Sequence, residues 1–133
     1  MIGRDHWVDE HIAMLQVKNP RLYAVLVYAD DYSQRHFDKP LMVTSIYRSH
    51  LDRNGIHGAW RAVDIRAANP LHLEAPDERE ARALIIELNN TFSYGRKWNG
   101  SITQVAHLRS PGQGQDDTAP HVHMQVKGYG VWR

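Results

Sequence analysis

The sequence predicts an α+β domain: a small antiparallel β-sheet with flanking helices. Three observations lead there. Helical periodicity precedes and interrupts segments rich in β-branched and aromatic residues, the last of these segments alternates strictly between apolar and polar side chains, and no repeat, low-complexity tract or linker divides the chain. At 133 residues, 42% of them hydrophobic, the chain has enough apolar material for one core, so residues 1–133 are read as a single domain.

The elements follow in order. A short helix is expected over Asp9 to Val17, ending before Pro20. Asn19-Pro20 then starts a second helix, because an Asn side chain caps free backbone N–H groups and Pro is pre-set for the first helical turn. Leu22, Val25, Leu26 and Ala29 fall on one face of that helix, which should run to about His36. Leu41 to Tyr47 reads as a buried strand, Asp52-Arg53-Asn54-Gly55 as a turn, and Arg61 to Arg66 as a strand in which Asp64 points opposite to Val63 and Ile65. Asp77 with Glu80 forms a capping-box pattern, and Ala81, Leu84, Ile85 and Leu88 make one apolar stripe that Asn89-Asn90 should terminate. Ser101 to Leu108 is expected as a strand, residues 110–120 as a polar loop, and His121 to Val126 as the final strand. Alternation there sends Val122, Met124 and Val126 to the core and His121, His123 and Gln125 to the opposite face. Trp7, Tyr23 and Tyr28 suit core packing on helices, whereas Trp60, Trp98 and Tyr94 could also line a groove.

Composition excludes several function classes. Sixteen Lys and Arg against fifteen acids leave a formal charge of +1 with no block of like charge, so no nucleic-acid footprint is expected. The longest apolar run, Leu22 to Ala29, is far short of the ~20 residues a spanning helix needs, so no membrane insertion is expected. The N-terminus carries no apolar stretch followed by a small-residue cleavage site, which reads as no signal peptide and a cytoplasmic chain in the producing cell. Cysteine is absent, so a transition-metal site would have to use imidazole and carboxylate.

The chain holds nine histidines, and His57, His121 and His123 flank strand-like segments. Asp64 follows His57 by seven residues, a spacing that suits a loop residue folding back over the strand that follows it. If the His121 strand lies beside the Asp64 strand, one of its imidazoles completes a His-Asp-His set with a fourth tetrahedral position left for water, as a catalytic zinc requires. His50, His72 and His107 read as ordinary surface or hydrogen-bonded groups.

From Leu41 to Val126 these residues resemble a known family: the LAS-type zinc metallopeptidases, which include D-alanyl-D-alanine carboxypeptidases, phage L-alanyl-D-glutamate endopeptidases and penicillin-insensitive murein endopeptidases. The resemblance lies in Ser45-Ile-Tyr47-Arg48-Ser49, in His57-Gly-Ala-Trp-Arg-Ala62-Val-Asp64, in the following helix, and in Pro120-His121-Val-His123. It implies a hedgehog/DD-peptidase-like fold, zinc held by His57, Asp64 and His123, and Arg48 placed to stabilise oxyanion charge. The implied reaction is hydrolysis of an amide bond in peptidoglycan stem peptides or crosslinks, and a monomer is expected. The chain departs from the pattern at Gly55 and Trp60, where the family has Ser and Gly, and at Pro120, where the carboxypeptidase branch has a carboxylate base. Proline accepts no proton, so the resemblance to the His-x-His branch implies that His121 serves as general base or as the group that polarises the zinc water and orients the tetrahedral intermediate, an imidazole being suited to proton transfer near neutrality; Asp116 and Asp117 are the reserve candidates.

Two rival readings differ in class. A zinc-binding domain that recognises a cell-wall peptide or protein partner without cutting it is kept alive by Pro120. A metal-dependent phosphodiesterase fits less well, because paired hard cations usually need more carboxylates. The substrate of the peptidase reading lies outside the cytoplasm, which a phage-derived or otherwise released enzyme would reconcile with the missing export signal.

Overall fold

The computed structural model describes residues 1–46, 60–93, 104–109 and 119–126. Its element order is β1 (Ile2–Gly3), α1 (His6–Lys18), α2 (Pro20–Phe37), β2 (Met42–Ser45), β3 (Ala62–Arg66), α3 (Glu78–Thr91), β4 (Ala106–Arg109) and β5 (His121–Gln125). The five strands form one sheet in the order β1-β2-β3-β5-β4. The architecture is mixed α/β, consistent with the predicted α+β class. The sheet is not wholly antiparallel, however: β1 pairs parallel to β2, with Ile2 opposite Met42. Two residues are too few to carry a period, so this strand has no sequence signature.

Helix starts follow their side chains. The Asp5 carboxylate accepts from Val8 N–H and begins α1 three residues earlier than its periodicity suggests. Gly3 is required just ahead of it, since a Cβ there would lie 2.6 Å from the Asp9 backbone nitrogen. Asn19 does three jobs at once: its N–H closes α1 on the Leu15 carbonyl, its Oδ1 caps α2 by accepting from Leu22 N–H, and its Nδ2 donates to the Trp60 carbonyl at 2.8 Å. That last bond ties the helical junction to the entry of β3. Trp60 itself takes a left-handed conformation (φ 58°) and is buried in the core cluster.

In α3, Asp77 and Glu80 complete the predicted capping box. Asn89-Asn90 does not stop this helix, which continues to Thr91. Asn89 instead docks it on the sheet edge, donating to the Ala106 carbonyl and accepting from the Ala106 N–H, both at 2.9 Å. An amide side chain reproduces the donor and acceptor of a neighbouring strand, which is why Asn serves here.

One core cluster joins the layers. Leu22, Val25, Leu26 and Ala29 of α2 and Ala81, Leu84 and Leu88 of α3 meet Val43, Val63, Ile65, Val122 and Met124 of the sheet, each at most 1% exposed. Burying each Leu, Val or Ile of this set contributes roughly 1.5–3 kcal/mol relative to leaving it in water. Tyr23 and Tyr28 pack against its border as expected, but Trp7 is 67% exposed on α1. The expected strand over Ser101 to Leu108 is present as β4 from Ala106; Gln104 and Val105 precede it outside the strand, and 101–103 lie outside the described residues. No described helix is long and apolar enough to cross a membrane.

Candidate metal centre

The face of β3 and β5 away from the core carries the polar set. In β3, Val63 and Ile65 are in the core cluster, so Asp64 between them points the other way, as alternation requires. In β5 the same rule turns His121, His123 and Gln125 from the core face occupied by Val122, Met124 and Val126. Register then decides which of these meet. Asp64 stands opposite His123 across the antiparallel β3/β5 pair, and His123 stands opposite His107 across β5/β4. On its other side Asp64 pairs with Ser45, where a bulge lies between Val43 and Ser45 and the Thr44 hydroxyl donates to the Asp64 carbonyl at 3.2 Å. Bulges re-aim side chains and recur beside active sites.

The distances are short and the groups buried. His123 Nδ1 lies 2.8 Å from Asp64 Oδ1, and His121 Nε2 lies 3.7 Å from that same oxygen. The His123 side chain is 2% exposed, those of Asp64 and His121 12% and 13%. Full burial of an imidazole against a carboxylate is costly unless both are hydrogen-bonded or share a cation. His121 is oriented by its own strand entry: Nδ1 is 2.9 Å from the Ala119 carbonyl, which can only accept, so Nδ1 carries a proton and Nε2 is the nitrogen left to exchange one. That nitrogen is the one that faces Asp64.

His107, read from sequence as an ordinary histidine, belongs to this cluster. Its ring lies against that of His123, tilted by 40° with centroids 4.9 Å apart, and its Nε2 accepts from Arg109 Nε at 3.2 Å. Burial, then the neighbouring His123 and the Arg109 guanidinium, push its pKa down to about 4 against the partial opposition of Asp64. It is therefore a neutral wall at ordinary pH. Its strand is four residues long, and only the register with β5 reveals which neighbour it meets.

Of the residues predicted to form the site, Asp64, His121 and His123 are brought together; His57 and Arg48 lie outside the described residues, as do the reserve bases Asp116 and Asp117. Among the described residues no group of three His, Cys, Asp or Glu side chains is disposed to hold one ion together. The donors that do converge, an imidazole nitrogen and a carboxylate oxygen in a chain without thiols, are of the kinds zinc accepts, and a zinc site on them needs at least one further protein ligand. Comparison of the chain with protein-family models, with curated proteins and with solved structures finds no match.

Proposed function

We propose that the chain is a zinc-dependent peptidase that hydrolyses an amide bond in peptidoglycan stem peptides or crosslinks, with His57, Asp64 and His123 as ligands, His121 as the proton-handling group and Arg48 as the oxyanion partner. The observation that carries the reading is the 2.8 Å approach of His123 Nδ1 to Asp64 Oδ1 on a polar sheet face, with a second imidazole 3.7 Å from the same oxygen. That β3 and β5, distant in sequence, bring two of the three proposed ligands side by side supports the reading. The substrate class rests on the family resemblance of Ser45 to Ser49, His57 to Asp64 and Pro120 to His123.

A bound zinc ion would supply Lewis acidity, polarising the scissile carbonyl and acidifying water at neutral pH. The chain's own residues do the rest. His121, its tautomer held by the Ala119 carbonyl, takes a proton from the attacking water at Nε2 and returns it to the leaving amine. It occupies the role that Pro120 cannot fill. Arg48 would neutralise charge developing on the carbonyl oxygen.

The test couples elemental analysis of the purified protein to a turbidity assay on bacterial sacculi. Stoichiometric zinc and lysis that a chelator abolishes and added zinc restores are expected. His123→Ala should lose metal and lysis together, whereas His121→Ala should keep the metal and lose on the order of 10²- to 10⁴-fold in rate. A metal-free, inert protein would sink the reading; stoichiometric zinc without turnover would favour a peptide-binding domain instead.

A further inference from the structure

We infer that Arg66 anchors a carboxylate of the substrate about two residues from the scissile bond, and so selects among the peptides that reach the site. The inference rests on the peptidase reading above and adds to it a residue outside the motif that carries the resemblance.

The sheet register lays out two rows on the polar face. Asp64, His123 and His107 stand abreast on β3, β5 and β4, and one step along the same face Arg66, His121 and Arg109 do likewise. Arg66 follows Asp64 by two residues and so shares its side of the sheet, about 7 Å further along β3. Its guanidinium is poorly matched to its surroundings. The side chain is only 20% exposed, yet among the described residues both of its contacts use Nη1: Met42 Sδ at 2.9 Å and the Glu74 carboxylate at 3.8 Å. A thioether is a weak acceptor, and 3.8 Å is beyond hydrogen-bond reach. Glu74 is 61% exposed and lies nearer to His72, at 3.0 Å, so its hold on Arg66 is that of a surface ion pair and worth little. Nε and Nη2 form an edge that can take both oxygens of a carboxylate, and neither of these contacts uses it. A largely buried cation in this setting is stabilised by an anion that arrives with the ligand.

The chemistry of the face selects the anion. The planar fork matches a carboxylate, and a singly charged group suits a surface already holding Asp64 and Glu74 better than a dianionic phosphate does. About 7 Å is two residues of extended peptide, so a chain whose scissile carbonyl lies over the Asp64 row brings a neighbouring carboxylate to Arg66. Arg109, at the other end of the second row, is exposed and donates from Nε to His107, so it adds positive charge but no sheltered fork.

The test uses the full chain as purified, a soluble stem pentapeptide, and the same peptide with every carboxylate amidated. Dissociation constants are measured by NMR titration of the wild type, Arg66→Gln and Arg82→Gln, and chromatography of the same samples reports any cleavage. Arg82 serves as the control for general charge: it is exposed on α3, whose apolar stripe packs on the opposite face of the sheet. The wild type should bind the carboxylate form about 10- to 100-fold more tightly than the amidated one. Arg66→Gln should abolish that preference and bind the amidated peptide as the wild type does, while Arg82→Gln should keep the preference in full. In the wild type the Arg66 Nε–H resonance should shift with the carboxylate peptide and stay in place with the amidated one, a result that needs no variant to fold. Equal binding of the two peptides by the wild type, a preference that survives Arg66→Gln or is lost in Arg82→Gln, or an unmoved Arg66 resonance overturns the proposal. Any of these in a protein that holds zinc and lyses sacculi leaves the peptidase reading standing. Conversely, a preference that depends on Arg66 in a protein that takes up no zinc and cuts nothing keeps the carboxylate anchor and defeats that reading.

Discussion

Two aspartates are buried to nearly the same degree, Asp30 at 9% and Asp64 at 8% exposed, and they do opposite things. Asp30, on α2, is surrounded by donors: Leu41 N–H at 2.9 Å and Gln34 Nε2 at 2.6 Å, with the Met1 ammonium 3.3 Å from each oxygen. These groups come from three segments and ask nothing further of the carboxylate, which acts as a rivet between the N-terminal strand, α2 and the entry to β2. Asp64, on the sheet, faces two imidazoles with one oxygen. Its neighbours are groups that can give or withhold a proton, and the proposed zinc site is built on them. Burial alone therefore says little about role; the chemistry of the partners separates a fastening from a site.

The contrast can be broken most sharply at Asp64. Asp64→Asn keeps the shape and removes the charge, so zinc uptake should fall to background while the thermal transition stays cooperative. An unfolded Asp64→Asn protein would erase the distinction between the two aspartates. At Asp30 the expectation is reversed. Asp30→Ala strands the Leu41 N–H and the Met1 ammonium, so it should destabilise the fold by about 3 kcal/mol, read as a drop in Tm of about 10 °C, with the metal stoichiometry of the remaining folded protein unchanged. Metal loss in folded Asp30→Ala would mean the two regions are coupled.

A smaller effect comes from His107, beside the site. Its folded pKa of about 4 lies below the ordinary histidine value of 6.5. Between those values the unfolded chain holds a proton on this ring that the folded chain does not, so stability falls as pH drops from about 6.5 toward 4. His107→Phe removes that proton uptake and should flatten the decline in Tm over this window in metal-free protein. A decline as steep as in the wild type would move the acid sensitivity away from the sheet face.

The parts legible in the sequence are those governed by short periods. The apolar stripes of α2 and α3, the capping box at Asp77 and the Asn19-Pro20 helix start all appear where their side chains predict. The two faces of β5 and the outward turn of Asp64 are equally plain, since alternation is a property of a single strand. What the sequence leaves hidden depends on partners far along the chain. Asn89 looks like a helix terminator until its amide is seen paired with Ala106, and β1 exists only because β2 is there to pair with it. Trp7 sits in a helix whose buried positions are Val8 and Leu15, so its aromatic character alone gave no guide to its exposure. His107 is one histidine among nine until β4 is laid against β5.

Local covalent geometry thus settles which residues share a face, because the period of a strand is two and that of a helix 3.6 whatever surrounds them. It cannot settle which faces meet. Asp64 and His123 are 59 residues apart, and a shift of one residue in the pairing of β3 with β5 would set Asp64 opposite an apolar neighbour. Burial of Val63, Ile65, Val122 and Met124 against the helices penalises that shift, so the core on one side of the sheet holds the register that assembles the cluster on the other.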